Sequence, residues 1–388
     1  MSFDNDTSIS YKKKLFVHRS RIFGVILIIA IMIMITAVIC YNSYNSRLYD
    51  SYAVVSEVEH TNIEGSRVLS FGMDFITYSS DGIRCSNSKG TDEWSFPYEM
   101  QSPMIDVRGK YVACADYNGR NIYIFDTTGP LGTIQLNNPV KKICVSATGV
   151  IAAVIDNGDV TPISLYYYDG RQIASFRTTM SKSGYPVDVS ISDDSKLVAV
   201  SYMYMDSGKL TTKLAFYNFG EVGQNETDNL VSGYDYEDEV IPSVAFLNSK
   251  SVFALANDKL LFFEGKERPV NIENRMLSDR VYAVFHGDEK VGLVYLNDDG
   301  ESRYRIEIYN DSGKLENTFY FDVDYSDIFF ANGRVVIYNS GQAVIYTYSG
   351  ILKFRGSFEE NVSLLLPTSS NLRYVAVTPD SIKTIELQ

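Results

Sequence analysis

Residues 122–134 read IYIFDTTGPLGTI, a short apolar run, an Asp-Thr-Thr-Gly break and a second apolar run ending on Ile134. Branched and aromatic side chains suit a pleated strand, and Asp followed three positions later by Gly supplies the turn between two of them. The pattern returns as GIRCSNSKGTDEWSF at 82–96, LYYYDGRQIASF at 165–176 and IEIYNDSGKLENTF at 306–319. A repeating pair of strands, and no sustained helical period, sets an all-β reading for this part of the chain.

Outward from these phrases lies a second series of turn signals. They fall at Asp81-Gly82, Asn118-Gly119, Asn157-Gly158, Ser207-Gly208, Asn257-Asp258, Asp299-Gly300, Ser340-Gly341 and Pro379-Asp380, spaced by 37, 39, 50, 50, 42, 41 and 39 residues. A period near 40 with four strands per unit predicts a single β-propeller, because each small sheet buries its faces only against its neighbours in a ring. Eight signals predict eight blades, with seven as the alternative. Large apolar residues recur in the fourth strands at Trp94, Ile134, Phe176, Phe319 and Phe358, placed to wedge between blades. The last unit, residues 361–388, has room for three strands, so residues 52–59 are expected to supply the missing one and close the ring.

The four phrases resemble the blade repeat of quinoprotein-like and WD40-like propellers. The whole order, with SGYPVDVSIS at 183–192, DSGKLTTKLAFYNFGEVGQNE at 206–226 and DYEDEVIPSVAFL at 235–247, is similar to a family of membrane-anchored propellers of Gram-positive bacteria known as a domain of unknown function. That resemblance implies the fold and brings no activity with it.

Ahead of the propeller, residues 22–40 read IFGVILIIAIMIMITAVIC, 19 residues without a charge. At 1.5 Å per residue this matches a hydrocarbon core about 30 Å thick. The run from Ile22 to Cys40 leaves through Val38, Ile39, Cys40 and Tyr41 rather than the small residues of a cleavage site, so a transmembrane anchor is expected. Lys12, Lys13, Lys14, Arg19 and Arg21 precede it and only Arg47 follows closely, which orients the N-terminus to the cytoplasm and exports the rest. The expected organisation is a cytoplasmic tail at 1–21, disordered over its first ten residues, a transmembrane helix at 22–41, a tether at 42–51 and an extracytoplasmic propeller at 52–388.

Composition narrows the function. The net charge is −13, and the first 21 residues contribute +3, leaving −16 on the remainder. So acidic a surface repels phosphate backbones, and no nucleic-acid partner is expected. Cys85, Cys114 and Cys144 lack any metal-ligand spacing and read as small buried residues on strands.

Catalytic signals are sparse. His18, His60 and His286 are the only histidines, and neither a nucleophile elbow nor a phosphate-binding loop is present. Trp94 is the single tryptophan, which argues against the quinone chemistry of the propeller enzymes that the phrases resemble. No cofactor or metal is expected; Asp322, Asp324 and Asp327 in DVDYSD lack the glycine and closing glutamate of a calcium loop. The leading reading is a non-enzymatic protein-binding or scaffolding module of the bacterial cell envelope, with a protein or wall component as partner and the bilayer held by the helix. An exported carboxylate-based hydrolase or lyase, and a ligand sensor acting through a membrane partner, are the rivals. The candidate partner surface is an aromatic and acidic rim of Tyr202, Tyr204, Met205, Tyr234, Asp235, Tyr236, Glu237 and Asp238, formed where a long connection at residues 220–240 meets residues 201–209.

Overall fold

The structure, a computed structural model, describes residues 5–45, 47–60, 65–158, 160–179, 184–297, 300 and 302–388, with side chains described outside 5–15, 17, 38–45 and 177–179. It divides into two units, residues 1–48 and 49–388.

The first unit is a single helix, Asn5–Asn45, which at 1.5 Å per residue is about 62 Å long. Its window His18–Ala37 has a mean hydropathy of 2.4, and the side chains there are exposed. This is the length and apolarity of a membrane span or a signal sequence. The helix outruns the apolar stretch at both ends, so residues 5–10, expected to be disordered, and 42–45, expected to be tether, are helical. Once nucleated a helix adds one hydrogen bond per residue fixed, and neither flank holds a Pro or Gly to stop it. The Lys12, Lys13, Lys14 and Cys40 side chains lie outside those described.

The second unit is an eight-bladed β-propeller, each blade a four-stranded antiparallel sheet. Blades one to seven are consecutive meanders at residues 67–97, 103–135, 140–179, 185–237, 243–276, 281–321 and 327–357. Blade eight takes Leu364–Pro367, Arg373–Val377 and Ser381–Leu387 from the end of the chain and Tyr52–Glu59 from its start. That pairing runs from Tyr52 against Leu387 to Glu59 against Ser381, so the expected closing strand is the one found. The turn signals all fall between second and third strands, although Asp299 lies outside the described residues.

Each space between neighbouring blades holds its own apolar cluster, and among the described residues there are eight such clusters for eight interfaces. The expected wedges fill them. Trp94 of blade one stacks on Phe125 of blade two at 5.0 Å, Phe176 on Tyr217 at 4.1 Å, and Phe319 meets Tyr346 at 4.7 Å. Phe358 is corrected in its strand and not in its packing: it lies just beyond the outer strand Leu352–Ser357, half-buried against the cluster between blades seven and eight, in which Phe354 takes the fourth-strand place. Phe358 leans on Tyr52 at 6.0 Å. Cys85, Cys114 and Cys144 are buried on strands, as expected.

In an antiparallel meander, turns between first and second and between third and fourth strands share one face, and the remaining turns and the connections between blades share the other. The chain enters the ring at the first of these faces. There the Tyr49 amide donates to the Lys353 carbonyl at 2.9 Å and Asp50 N to the Gln388 carbonyl at 3.2 Å, so residues 49–51 are docked rather than free tether.

Candidate functional site

Blade four departs from its siblings. Its second and third strands, Leu197–Asp206 and Lys209–Asn218, have ten residues each where those of the other blades have five to seven. Pairing continues unbroken from Leu197 against Asn218 to Asp206 against Lys209. Ser207 and Gly208, at φ 49° and 84°, make the left-handed turn that a two-residue hairpin requires. The hairpin therefore extends from the face opposite the point of chain entry.

The outer strand Leu230–Glu237 lies against this hairpin, placing Glu237 opposite Thr211. The two expected halves of the rim do meet, by strand pairing within one blade. The segment 220–240, expected to be one long connection, is instead a short helix Glu221–Gln224, a 3-10 turn Thr227–Asn229 and this strand. Alternating polar and aromatic residues in Tyr234 to Glu237 are the period-two signal of a half-buried strand, masked in the sequence by the density of charge.

Each candidate side chain now has a place. Asp235 accepts from the Tyr204 hydroxyl at 3.2 Å, and Lys209 bridges Glu237 at 3.2 Å and Asp238 at 3.7 Å. Met205 is 65% exposed. Tyr234 is half-buried and donates to the Pro269 carbonyl at 3.1 Å, while burial raises the Tyr236 hydroxyl well above its ordinary range. Tyr202 is a correction. It is fully buried between blades three and four, its hydroxyl 3.1 Å from that of Tyr217, because it continues the inward face of Val198 and Val200. The surface that remains is Tyr204, Met205, Asp235, Glu237 and Asp238, with Asp206, Lys209 and Lys213 added by the structure.

A second feature was not legible in the sequence. On the ring axis a cavity of about 250 Å³ is lined by Asp106, Arg108, Lys142, Asp188 and His286, which are spread over four blades. Both carboxylates staple neighbouring inner strands: Asp106 accepts from Val145 N at 2.6 Å, and Asp188 accepts from Val244 N and Val189 N at 2.8 Å each while pairing with Lys142. Arg108 crosses from blade two to Asp193 at 2.7 Å and to the Phe246 carbonyl at 3.1 Å. Burial raises the Asp106 carboxyl, and burial with the Arg108 charge lowers the His286 imidazole to about 4. Such shifts mark functional sites and ion-pair networks alike, and here the carboxylate oxygens are occupied by backbone amides. The only sequence trace was charge inside strands, as in PVDVSIS. Among the described residues no group of His, Cys, Asp or Glu is arranged to hold a metal ion.

A family model described as a family of unknown function, DUF5711, matches residues 45–387. The chain belongs to DUF5711. No curated protein matches it. Two solved structures share the fold of this DUF5711 chain. BamB from Moraxella catarrhalis has 11% identity over 87% of this chain and 100% of its own, with a TM-score of 0.50. Sqt1 from Chaetomium thermophilum has 10% identity over 88% and 98%, with a TM-score of 0.52. At such identities the likeness is one of architecture, and function rests on the site.

Proposed function

We propose that this DUF5711 chain is a non-enzymatic protein-binding or scaffolding module of the Gram-positive cell envelope, anchored by its N-terminal helix. Residues 1–21 lie in the cytoplasm, 22–41 span the bilayer, and the propeller of residues 52–388 faces outward. The orientation rests on Lys12, Lys13, Lys14, Arg19 and Arg21 ahead of the apolar run. A protein is the favoured partner over a wall polymer at the rim.

One observation carries the reading: blade four alone extends a hairpin beyond the common blade length, and it bears an exposed methionine and a tyrosine among charged groups. Met205 and Tyr204 are adaptable apolar anchors, and Asp206, Asp235, Glu237 and Asp238 outnumber Lys209 and Lys213. Such a surface suits a basic or amphipathic segment of a protein partner. The axial carboxylates support the non-enzymatic part, since their oxygens already hold backbone amides.

Photo-crosslinking in intact cells tests it. A probe at Met205 or Glu237 is expected to capture one defined partner, and a probe at Met73, 71% exposed on blade one, is not. Equal capture from Met73, or none from the hairpin, overturns the reading. Protease added outside the cells is expected to degrade the propeller; full protection would reverse the orientation.

A further inference from the structure

Blades two and three touch at one end of their interface and part at the other. A Cβ on Gly132 would lie 2.5 Å from the Tyr168 carbonyl, so the outer strand of blade two is pressed against the third-to-fourth-strand turn of blade three. Beyond that pinch the blades splay into a groove of about 660 Å³, within the range of small-molecule sites. One wall is the end of the outer strand Gly129–Gln135 and the connection after it; the other is the third and fourth strands of blade three.

The chemistry of the groove differs from the rest of the surface. Charged residues make up 21% of the chain, yet none of the described lining residues is charged. Five are amides: Gln135, Asn137, Asn138, Asn157 and Gln172. None of these side chains makes a hydrogen bond to the described protein, unlike Asn87, Asn248 and Asn310, which cap their own turns. Ser164 donates to Ser175 at 2.9 Å, leaving the Ser175 proton free, and Pro162 offers a rigid apolar face beside them. The cavity along blade one is lined by the charged Asp81, Arg84 and Asp92, whereas this opening is polar with no charge among its described lining residues.

We infer that the groove between blades two and three binds a neutral saccharide. Each free amide presents a donor and an acceptor side by side, the complement of two adjacent sugar hydroxyls, and the hydroxyls and the proline ring add the mixed polar and apolar contact of a sugar face. An ionic ligand finds no countercharge among the described lining residues, and an apolar one would strand the amides without partners. The site is on different blades from the proposed protein-binding hairpin and does not depend on that reading.

The test uses the full chain in a phosphocholine detergent, which carries no sugar to compete. Maltotriose, a β-1,4-linked N-acetylglucosamine trimer, trigalacturonate and a neutral tripeptide are titrated by calorimetry and saturation-transfer NMR. At least one of the two neutral trisaccharides is expected to bind with a Kd of about 1 mM or tighter. Asn157→Ala and Gln172→Ala should each weaken it about threefold to tenfold, the worth of one neutral hydrogen bond. Both side chains are exposed, and unchanged Trp94 fluorescence will show that the variants remain folded. The inference is overturned if neither neutral trisaccharide binds at about 10 mM, if both variants bind like the parent, or if the acidic sugar or the peptide binds as tightly.

Discussion

Gly313 shows how a single residue sets the spacing of the ring. It sits at φ 80° in the turn after the third strand of blade six, where Asn310 accepts from the amides of Ser312 and Lys314. A Cβ there would lie 2.6 Å from Phe262 and 2.9 Å from Glu273 of blade five, so the missing side chain permits both the left-handed backbone and the contact between blades. Gly313→Ala is expected to destabilise by about 1–3 kcal/mol, read from the urea midpoint. The buried thiols make a second prediction. Burial pushes Cys85 and Cys114 up to about 12 and raises Cys144 well above its ordinary value, so all three should resist a thiol reagent at about pH 8 in the folded protein and react once it is unfolded. His286 supplies a third. Its folded imidazole titrates at about 4 and an unfolded one near 6.5, so the unfolded chain takes up the proton first as pH falls. Stability from this group is complete above about pH 6.5 and lost towards 4, and the Tm of His286→Gln should fall less steeply across that window.

At the scale of elements, turns were legible and side-chain destinations less so. Asn118-Gly119 and Ser207-Gly208 announced hairpins because few residue types accept a left-handed backbone, and that constraint is local. The fate of Tyr202 depended on where the apolar interface of blade four ends, which no local pattern states, and Tyr202 falls inside it while Tyr204 falls beyond. The axial staples were illegible for the same reason, since Asp188 and Val244 are 56 residues apart and meet only when blades four and five pack together. Inner strands of adjacent blades share no sheet, so a side chain must join them. Asp188→Ala would leave the Val244 amide without its acceptor and Lys142 without its partner. A loss of about 2–4 kcal/mol is expected, measured by urea unfolding, with Asp188→Asn recovering part of it through its remaining carbonyl oxygen.

For the whole molecule the question is where a ring of equivalent blades opens first. The cluster between blades eight and one has six buried residues, Phe75, Leu364, Leu366, Val375, Val377 and Ile382, whereas that between blades three and four has fourteen. Along the face of blade one bearing Thr77, Arg84 and Ser95 lies a cavity of about 460 Å³, and the Thr77 hydroxyl is buried without a partner. Apolar burial is the main favourable term between blades, so this seam is the weakest joint of the ring. What holds it is the strand Tyr52–Glu59, which ties the start of the chain to its end and converts an open stack into a closed one. A chain beginning at His60 would expose the edge of Ser381–Leu387 and lose that tie. We expect it to unfold at a Tm several degrees below a chain beginning at Tyr49, and to aggregate through the bare edge. In the intact protein, amide hydrogens of Arg67–Phe71 and Tyr52–Glu59 should exchange before those of blades three and four. Exchange that begins instead at blades three and four would place the weak joint elsewhere and separate ring stability from the size of the apolar cluster at each interface.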